Sequence, residues 1–475
     1  MFGYFPKWIS DKSMQLFFAV LILLNVMWSQ YAMSISYILV SSISVVLFFY
    51  GSNVLTKKWA NYSIKYFTKN LFQVALLVRL LWCLFIYFFN IDYYGAPIGS
   101  TEDTEFYVFM GREFARLVYD LDFSFLHLWF DVYDYSFDDI GYPIFLGLEY
   151  TITGCIDDII IPFIFKSILG AYSCVLIYRI AQRHFGESIA RVAGIMCMFY
   201  PPIIYWCGTM MKEAEMIFLV CWFIERLDYV LTSRVLDLRL LFLVLLVGLS
   251  LFLFRFALGI AAFTSVLIAI LLASRNYIKK SNKIIISILI LLVLIFSIGD
   301  LIVQQVDVMS KKVFDDSLQE NLEWRSRREG GNSFAKYAGA TIFAPLIMTI
   351  PFPTLVEANS TQVIQSQLSG GYFIKNVTSF FVIFVLFTLI FNGEWRKHTI
   401  IIFYMLAYLA ILVVSGYAQS GRFHVPILPF EILFAAYGIC IFPKNKRHWF
   451  NYALIFEFVV CIAWNWFKLK GRGMI

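Results

Sequence analysis

Apolar runs long enough to cross a lipid bilayer recur along the whole chain. A helix that crosses the hydrocarbon core needs about 17–25 mainly apolar residues. Runs of this length predict about thirteen spanning helices, near residues 14–32, 34–50, 70–90, 160–181, 188–206, 210–227, 238–254, 256–274, 284–303, 372–391, 399–416, 424–442 and 449–467. The pattern limits the chain to an all-α polytopic membrane fold.

Composition agrees with this class and argues against several others. Of the 475 residues, 60% are hydrophobic and only 15% are charged, which is too little polar surface for a soluble protein of this size. The net charge of +6 comes mostly from short basic loops, so it indicates membrane topology and no nucleic-acid partner. The eight cysteines are scattered without a CxxC pair, which predicts neither a disulfide framework nor a zinc site.

Basic residues in the short loops set the orientation, because such loops stay on the cytoplasmic side. The loop with Lys57 and Lys58 and the later loop with Lys279 are therefore expected inside. Every strongly basic internal loop falls on the cytoplasmic side only if two apolar stretches do not cross the membrane. These stretches, Gly141–Gly154 and Thr341–Pro353, would enter the membrane and leave it on the same side. The basic tail would then lie outside, so the direction of the last helix stays open. The pattern predicts a multi-pass protein of a cytoplasmic (inner) membrane.

The first long external loop, Asp92–Ile140, is strongly acidic. It holds eleven Asp and Glu residues against two Arg, yet it is also rich in aromatic residues. Asp103 to about Leu121 is predicted to form an amphipathic helix that lies on the membrane surface. Its apolar side chains recur at helical spacing: Phe106, Met110, Phe114, Leu117 and Leu121.

Charged residues are predicted to meet at the external boundary of the bundle. Asp103 and Tyr107 are four residues apart and so share one helix face. The topology places four further charges near the same boundary: Lys212, Glu213, Arg255 and Arg422. Charges at membrane depth usually line a cavity or a pathway. Plainer roles stay open, since Glu213 could pair only with Lys212 or Arg255, and Arg255 could be a structural counter-ion.

Four ordered motifs resemble those of the GT-C glycosyltransferases, a polytopic family that includes protein O-mannosyltransferases and the lipid A aminoarabinose transferase. In chain order they are D-x-x-x-Y at Asp103, GYP-F-L from Gly141, FG…R…PP…KE from Phe185, and R-[FY]-x-x-P-x-x-P-F with AAYG from Arg422. The resemblance implies a GT-C-like transmembrane core over residues 51–442, with external loops 92–140 and 306–371. Residues 1–50 would form an extra N-terminal helical hairpin, and residues 443–475 the last helix and tail.

The resemblance also implies transfer of a sugar from a polyprenyl-phosphate carrier, on the external (periplasmic) side, to a glycan, lipid or protein acceptor. Asp103 matches the family's first-loop aspartate and would be the catalytic base. Glu213 matches its second acidic position and would orient the acceptor or bind a divalent cation, the one cofactor that the family suggests. The predicted substrate-binding residues are Arg422 and Lys212, for the phosphate, with Arg255, Tyr107 and Glu102.

Other functions remain open from the sequence. A lipid-linked glycan flippase or transporter would often show inverted repeats, and we find none. A glycan polymerase or ligase would use much the same chemistry and residues. A non-enzymatic assembly subunit would not need an acidic helix facing basic residues. Arg325, Arg327 and Arg328, in the second external loop, are expected to contact either phosphate or lipid headgroups.

Overall fold

The computed structural model describes residues 3–99, 102–133, 137–156, 158–233, 237–272, 284–285, 287–288, 346–357, 363–415, 417–418 and 420–475. This part of the chain is almost entirely helical and contains no β-strand. Its longer helices are α1 (Lys7–Met27), α2 (Ile35–Lys58), α3 (Ile64–Tyr94), α4 (Glu102–Tyr119), α5 (Gly141–Thr153), α6 (Ile160–Phe185), α7 (Glu187–Met198), α8 (Glu213–Thr232), α9 (Leu238–Phe254), α10 (Phe256–Leu272), α11 (Val363–Phe391), α12 (Thr399–Val414), α13 (Gly421–Ile441) and α14 (Arg447–Lys470).

Within the described residues, seven helices are long and apolar enough to cross a membrane: α1, α2, α3, α6, α11, α13 and α14. An eighth crossing forms if α7 is counted with the short helix Pro201–Gly208, which is bent from it by 52°. Helices α9, α10 and α12 are apolar but shorter. The multi-pass helical fold is therefore supported, whereas the count of about thirteen stays a prediction. The predicted span 284–303 lies almost wholly outside the described residues.

The two apolar stretches that were predicted not to cross differ in structure. Helix α5 has 13 residues, about 20 Å at 1.5 Å per residue, which is shorter than a bilayer core of about 30 Å. The second stretch is described only from residue 346, and residues 350–357 are not helical. Prolines 351 and 353 lack the amide hydrogen that a helix needs. The break that these prolines predict is confirmed in the described part.

Side chains of neighbouring helices bond the backbone of this non-helical segment. Asn465 accepts a hydrogen bond from the amide of Leu355 (2.7 Å) and donates to the carbonyl of Pro353 (3.1 Å). The Ser369 hydroxyl donates to the carbonyl of Thr354 (2.5 Å). Since lipid offers no hydrogen bonds, irregular backbone at membrane depth is stable only with such partners.

The N-terminal hairpin is packed into the bundle. Helix α2 passes through a π-helical turn at Leu47–Gly51 and ends at Lys58, so the predicted boundary at residue 50 falls inside a helix. Gly370 of α11 lies against the backbone of Ser41, and a side chain there would collide with it. The hairpin thus shares a close helix contact with the predicted core.

Helix α4, which was predicted to be external, is fixed by its packing on α5. Leu146 of α5 lies against Gly111, and Phe114 of α4 lies against Gly147, so a Cβ on either glycine would meet the facing side chain. The two helices can approach closely because both glycines lack side chains. This contact fixes α4, the helix whose first turn contains Asp103, against α5.

The apolar face of α4 contacts protein. Met110 is fully buried, Phe106 packs against Trp129, and Phe114 packs against Phe125 in the loop that follows. We predicted the membrane surface as the partner of these side chains, and the structure gives them the chain's own loop instead. The helix itself lies within two residues of its predicted bounds.

The orientation can be tested by thiol labelling. Of the eight cysteines only Cys155 is partly exposed, so every cysteine that remains in a Cys155→Ala variant is buried. We expect an impermeant maleimide to label Glu105→Cys in intact cells and Lys58→Cys only after permeabilisation, because both native side chains are exposed and the basic loop should be cytoplasmic. Labelling of position 58 but not 105 in intact cells would reverse the topology.

Candidate active site

Six charged side chains from five parts of the chain meet at one end of the bundle. We call them the charged cluster: Asp103, Asp139, Lys212, Glu213, Arg255 and Arg422. Asp103 begins α4, and Asp139 precedes α5. Lys212 and Glu213 lie at the start of α8, while Arg255 separates α9 from α10. The cluster therefore forms where several helix ends face one another.

Arg422 joins the two predicted catalytic acids. Its Nη1 donates to Asp103 Oδ2 (2.7 Å), and its Nε donates to Glu213 Oε1 (2.5 Å). The side chain of Asp103 is 54% exposed, that of Arg422 is 21% exposed, and Glu213 is fully buried. One guanidinium thus links an accessible carboxylate to an inaccessible one.

Arg255 is the second cation on Glu213. Its Nη2 lies 3.5 Å from Glu213 Oε1, and its Nη1 donates to the Tyr408 hydroxyl (3.4 Å). Its guanidinium also covers the ring of Phe423, with the central carbon 4.4 Å from the ring centroid. The ion pair between Arg255 and Glu213 that the sequence left open is therefore observed, and Arg255 also packs on Phe423, the residue next to Arg422.

Lys212 does not pair with Glu213. Its ammonium pairs with Asp139 and donates to the carbonyls of Phe254 (2.5 Å) and Asp138 (3.4 Å). An ammonium has three donors, and these three acceptors use them. Lys212 is only 3% exposed, so Arg422, with a side chain that is 21% exposed, is the more accessible of the two cations.

Tyr107 supports Asp139. Its hydroxyl donates to Asp139 Oδ1 (3.1 Å), and its buried ring meets the ring of Tyr142 edge-on at 5.3 Å. Burial raises the pKa of the Tyr107 hydroxyl above its ordinary value, so this hydroxyl stays protonated and donates. Asp103 and Tyr107 share one helix face, as their spacing predicts. The side chain of Glu102 and the loop with Arg325–Arg328 lie outside the described residues.

Sequence reasoning missed a second buried group of charges beside this site. Lys166 of α6 donates to Glu215 of α8 (2.9 Å) and to the carbonyl of Met211 (2.5 Å). Its ammonium also lies 4.5 Å from the ring centroid of Tyr142. Burial, with the nearby charge of Glu215, raises the pKa of Glu149 to about 8. The sequence did contain a signal for this group, because ionisable residues such as Lys166 and Glu215 are rare within apolar runs and usually have a partner.

A third missed group holds the segment that carries Arg422. The Lys375 ammonium contacts the carbonyl of Ile350 and lies 2.9 Å from His424 Nδ1 and 4.0 Å from Glu431. His424 Nε2 faces the carbonyl of Ala418 at 2.6 Å, so Nε2 carries the proton and Nδ1 accepts from Lys375. This arrangement ties the start of α13 to α11.

The described residues contain no group of three His, Cys, Asp or Glu side chains that could hold a metal ion. A divalent cation therefore stays a prediction of the family resemblance. The chain matches no protein-family model, no curated protein and no solved structure. A function must accordingly be argued from the site's own chemistry and from the motifs.

The raised pKa of Glu149 predicts a pH dependence of stability. Between its ordinary value of 4.5 and its folded value of about 8, the folded protein keeps a proton that the unfolded chain releases. Stability should therefore fall as pH rises through this window. Because glutamine stays neutral, Glu149→Gln should be more stable than the wild type by a few degrees in the alkaline range.

Thermal unfolding in detergent from about pH 6 to about pH 9 measures this difference. Glu105→Gln, on exposed α4 surface, is the matched control and should follow the wild-type curve. An unchanged pH dependence in Glu149→Gln would show that Glu149 is already ionised in the folded protein.

Proposed function

We propose that the protein is a membrane glycosyltransferase that moves a sugar from a polyprenyl-phosphate donor to an acceptor on the external (periplasmic) side. The observation that carries this proposal is the Arg422 guanidinium, held between exposed Asp103 and buried Glu213. Displacing a lipid phosphate from a sugar requires a cation with forked donors for the phosphate and a base for the acceptor. Both are adjacent here.

The reaction takes place at the anomeric carbon of the donor sugar. An acceptor hydroxyl oxygen attacks this carbon, the bond from carbon to phosphate oxygen breaks, and its electron pair leaves with the phosphate. The hydroxyl proton passes to a carboxylate oxygen of Asp103. Arg422 stabilises the negative charge that builds on the phosphate.

Two further observations support the proposal. Three residues of the motifs that resemble the GT-C family meet directly, because Arg422 donates hydrogen bonds to both Asp103 and Glu213. Three helices that meet at the cluster are also strongly apolar: α13, which carries Arg422, and α9 and α10, which flank Arg255. Apolar helices of this kind could border the lipid tail of a polyprenyl donor. The acceptor is a glycan, a lipid or a protein.

A lipid-linked glycan flippase is the second candidate, because non-helical backbone inside a helix bundle is typical of transporters. Here, however, Asn465 and Ser369 already bond the segment at Pro353–Leu355. These bonds favour a structural role for it. A polymerase or ligase would use the same cluster and differ in its acceptor.

Asp103→Asn tests the catalytic role. The amide keeps the size of the side chain but accepts no proton, so transfer should fall about 10²–10⁴-fold. The assay follows movement of labelled sugar from lipid-linked donors, supplied as a membrane lipid extract, in proteoliposomes. Glu105→Gln removes the same charge from the same helix and should retain transfer. A loss below about threefold, far under the range for a base, would exclude Asp103 from catalysis.

Arg422→Lys tests the phosphate role separately. A lysine keeps the charge but not the forked donors, so turnover should fall even at saturating donor, and Arg422→Ala should lose more. Full turnover in Arg422→Lys would make Arg422 a structural counter-ion of Glu213.

A flippase would show lipid-dependent translocation in the same proteoliposomes without sugar transfer by any variant.

A further inference from the structure

The charged cluster is fully paired in the structure. Arg422 bonds Asp103 and Glu213, Arg255 faces Glu213, and Lys212 faces Asp139. Each forked edge of the Arg422 guanidinium includes a nitrogen that already bonds a carboxylate, since Nε bonds Glu213 and Nη1 bonds Asp103. A phosphate that takes a forked pair of donors therefore competes with one of these carboxylates. The two candidates for replacement are the exposed Asp103 and the buried Glu213.

Glu213 is held too firmly to leave. It is fully buried at the start of α8, and its Oε1 is shared by Arg422 and Arg255. Its Oε2 has no hydrogen-bond partner among the described residues. Moving Arg422 away would leave a buried carboxylate with one longer ion pair, which is strongly unfavourable.

Asp103 can leave easily. More than half of its side chain is exposed, and it sits in the first turn of an external helix. Exposed ion pairs contribute little to stability because water solvates both partners almost as well. A phosphate, by contrast, offers several oxygens to the forked donors of arginine.

We propose that Asp103 occupies the phosphate position on Arg422 in the resting protein, and that the donor phosphate displaces it. The inference rests on the proposed function. The displacement exchanges one anionic partner of Arg422 for another, so no charge is left buried without a partner. It also frees Asp103 Oδ2, which then lies beside the bound donor and can accept the proton of the acceptor hydroxyl.

This exchange links the two substrates. Before the donor binds, Asp103 Oδ2 accepts a hydrogen bond from Arg422 and is engaged. After the donor binds, the same oxygen is available as a base. Binding of the donor therefore makes Oδ2 available as a base beside the leaving phosphate, so donor binding favours activation of the acceptor.

The test is the affinity for a polyprenyl monophosphate, measured with undecaprenyl phosphate in nanodiscs of neutral lipid. If Asp103 competes for Arg422, Asp103→Asn should bind this lipid about two- to fivefold more tightly than the wild type, although it is inactive in transfer. Glu105→Gln removes the same charge from the exposed side of α4 and should bind as the wild type does. The gain should shrink at high salt.

The outcomes separate the inference from the proposed function. Equal or weaker binding by Asp103→Asn, with binding by the wild type intact, overturns the displacement and leaves the transferase proposal standing. A matching gain in Glu105→Gln overturns it too, because the effect would then be general electrostatics. Wild-type binding that Arg422→Ala does not weaken places the phosphate elsewhere and also overturns it. Absence of binding by every variant overturns both proposals.

Discussion

A fully buried carboxylate, Glu213, organises one end of this bundle. A charge without solvent must be paired, and removing one partner of a buried pair costs about 3–5 kcal/mol. Glu213 therefore requires Arg422 from α13 and Arg255 from the α9–α10 junction at fixed positions. The extended backbone of Arg255, with φ −168° and ψ 123°, separates two apolar helices so that its side chain can reach Glu213. The need to pair the Glu213 carboxylate thus brings together the start of α8, the start of α13 and the α9–α10 junction.

The sequence predicted the members of this site better than their partners. Apolar run lengths and basic loops place Asp103, Glu213, Arg255 and Arg422 near one boundary, and the structure brings these four together. The pairing of Lys212 with Asp139 was not predicted. Adjacent residues on a helix point in directions about 100° apart, so Lys212 and Glu213 face different neighbours. The rotation of a helix about its own axis decides which residues its side chains face. Membrane topology alone does not predict that rotation.

The same limit explains the charges that were overlooked inside apolar helices. Lys166 and Lys375 lie within runs that were counted as spans, and each is less than 3% exposed. Their partners, Glu215 and His424, are distant in the sequence, and only the packing of α6 on α8 and of α11 on α13 shows them. Likewise, run length alone does not show where an apolar run bends, as between α7 and the short helix Pro201–Gly208, which differ in direction by 52°.

Charge balance at this site favours the proposed enzyme over a simple anion-binding protein. A site built only to hold a phosphate is best served by cations without competing carboxylates, because an acid near the anion repels it. Here three acids accompany three cations, and one of the acids, Asp103, is both accessible and adjacent to the most accessible cation. Such an arrangement weakens ground-state binding of the anion. In the proposed reaction this weaker binding has a use, because the displaced carboxylate acts on the second substrate. Interactions that are stronger in the transition state than in the ground state then accelerate the reaction. Although α4 is packed on α5 at Gly111 and Phe114, Asp103 lies in its first turn with more than half of its side chain exposed, so the side chain can move by rotating about its own bonds.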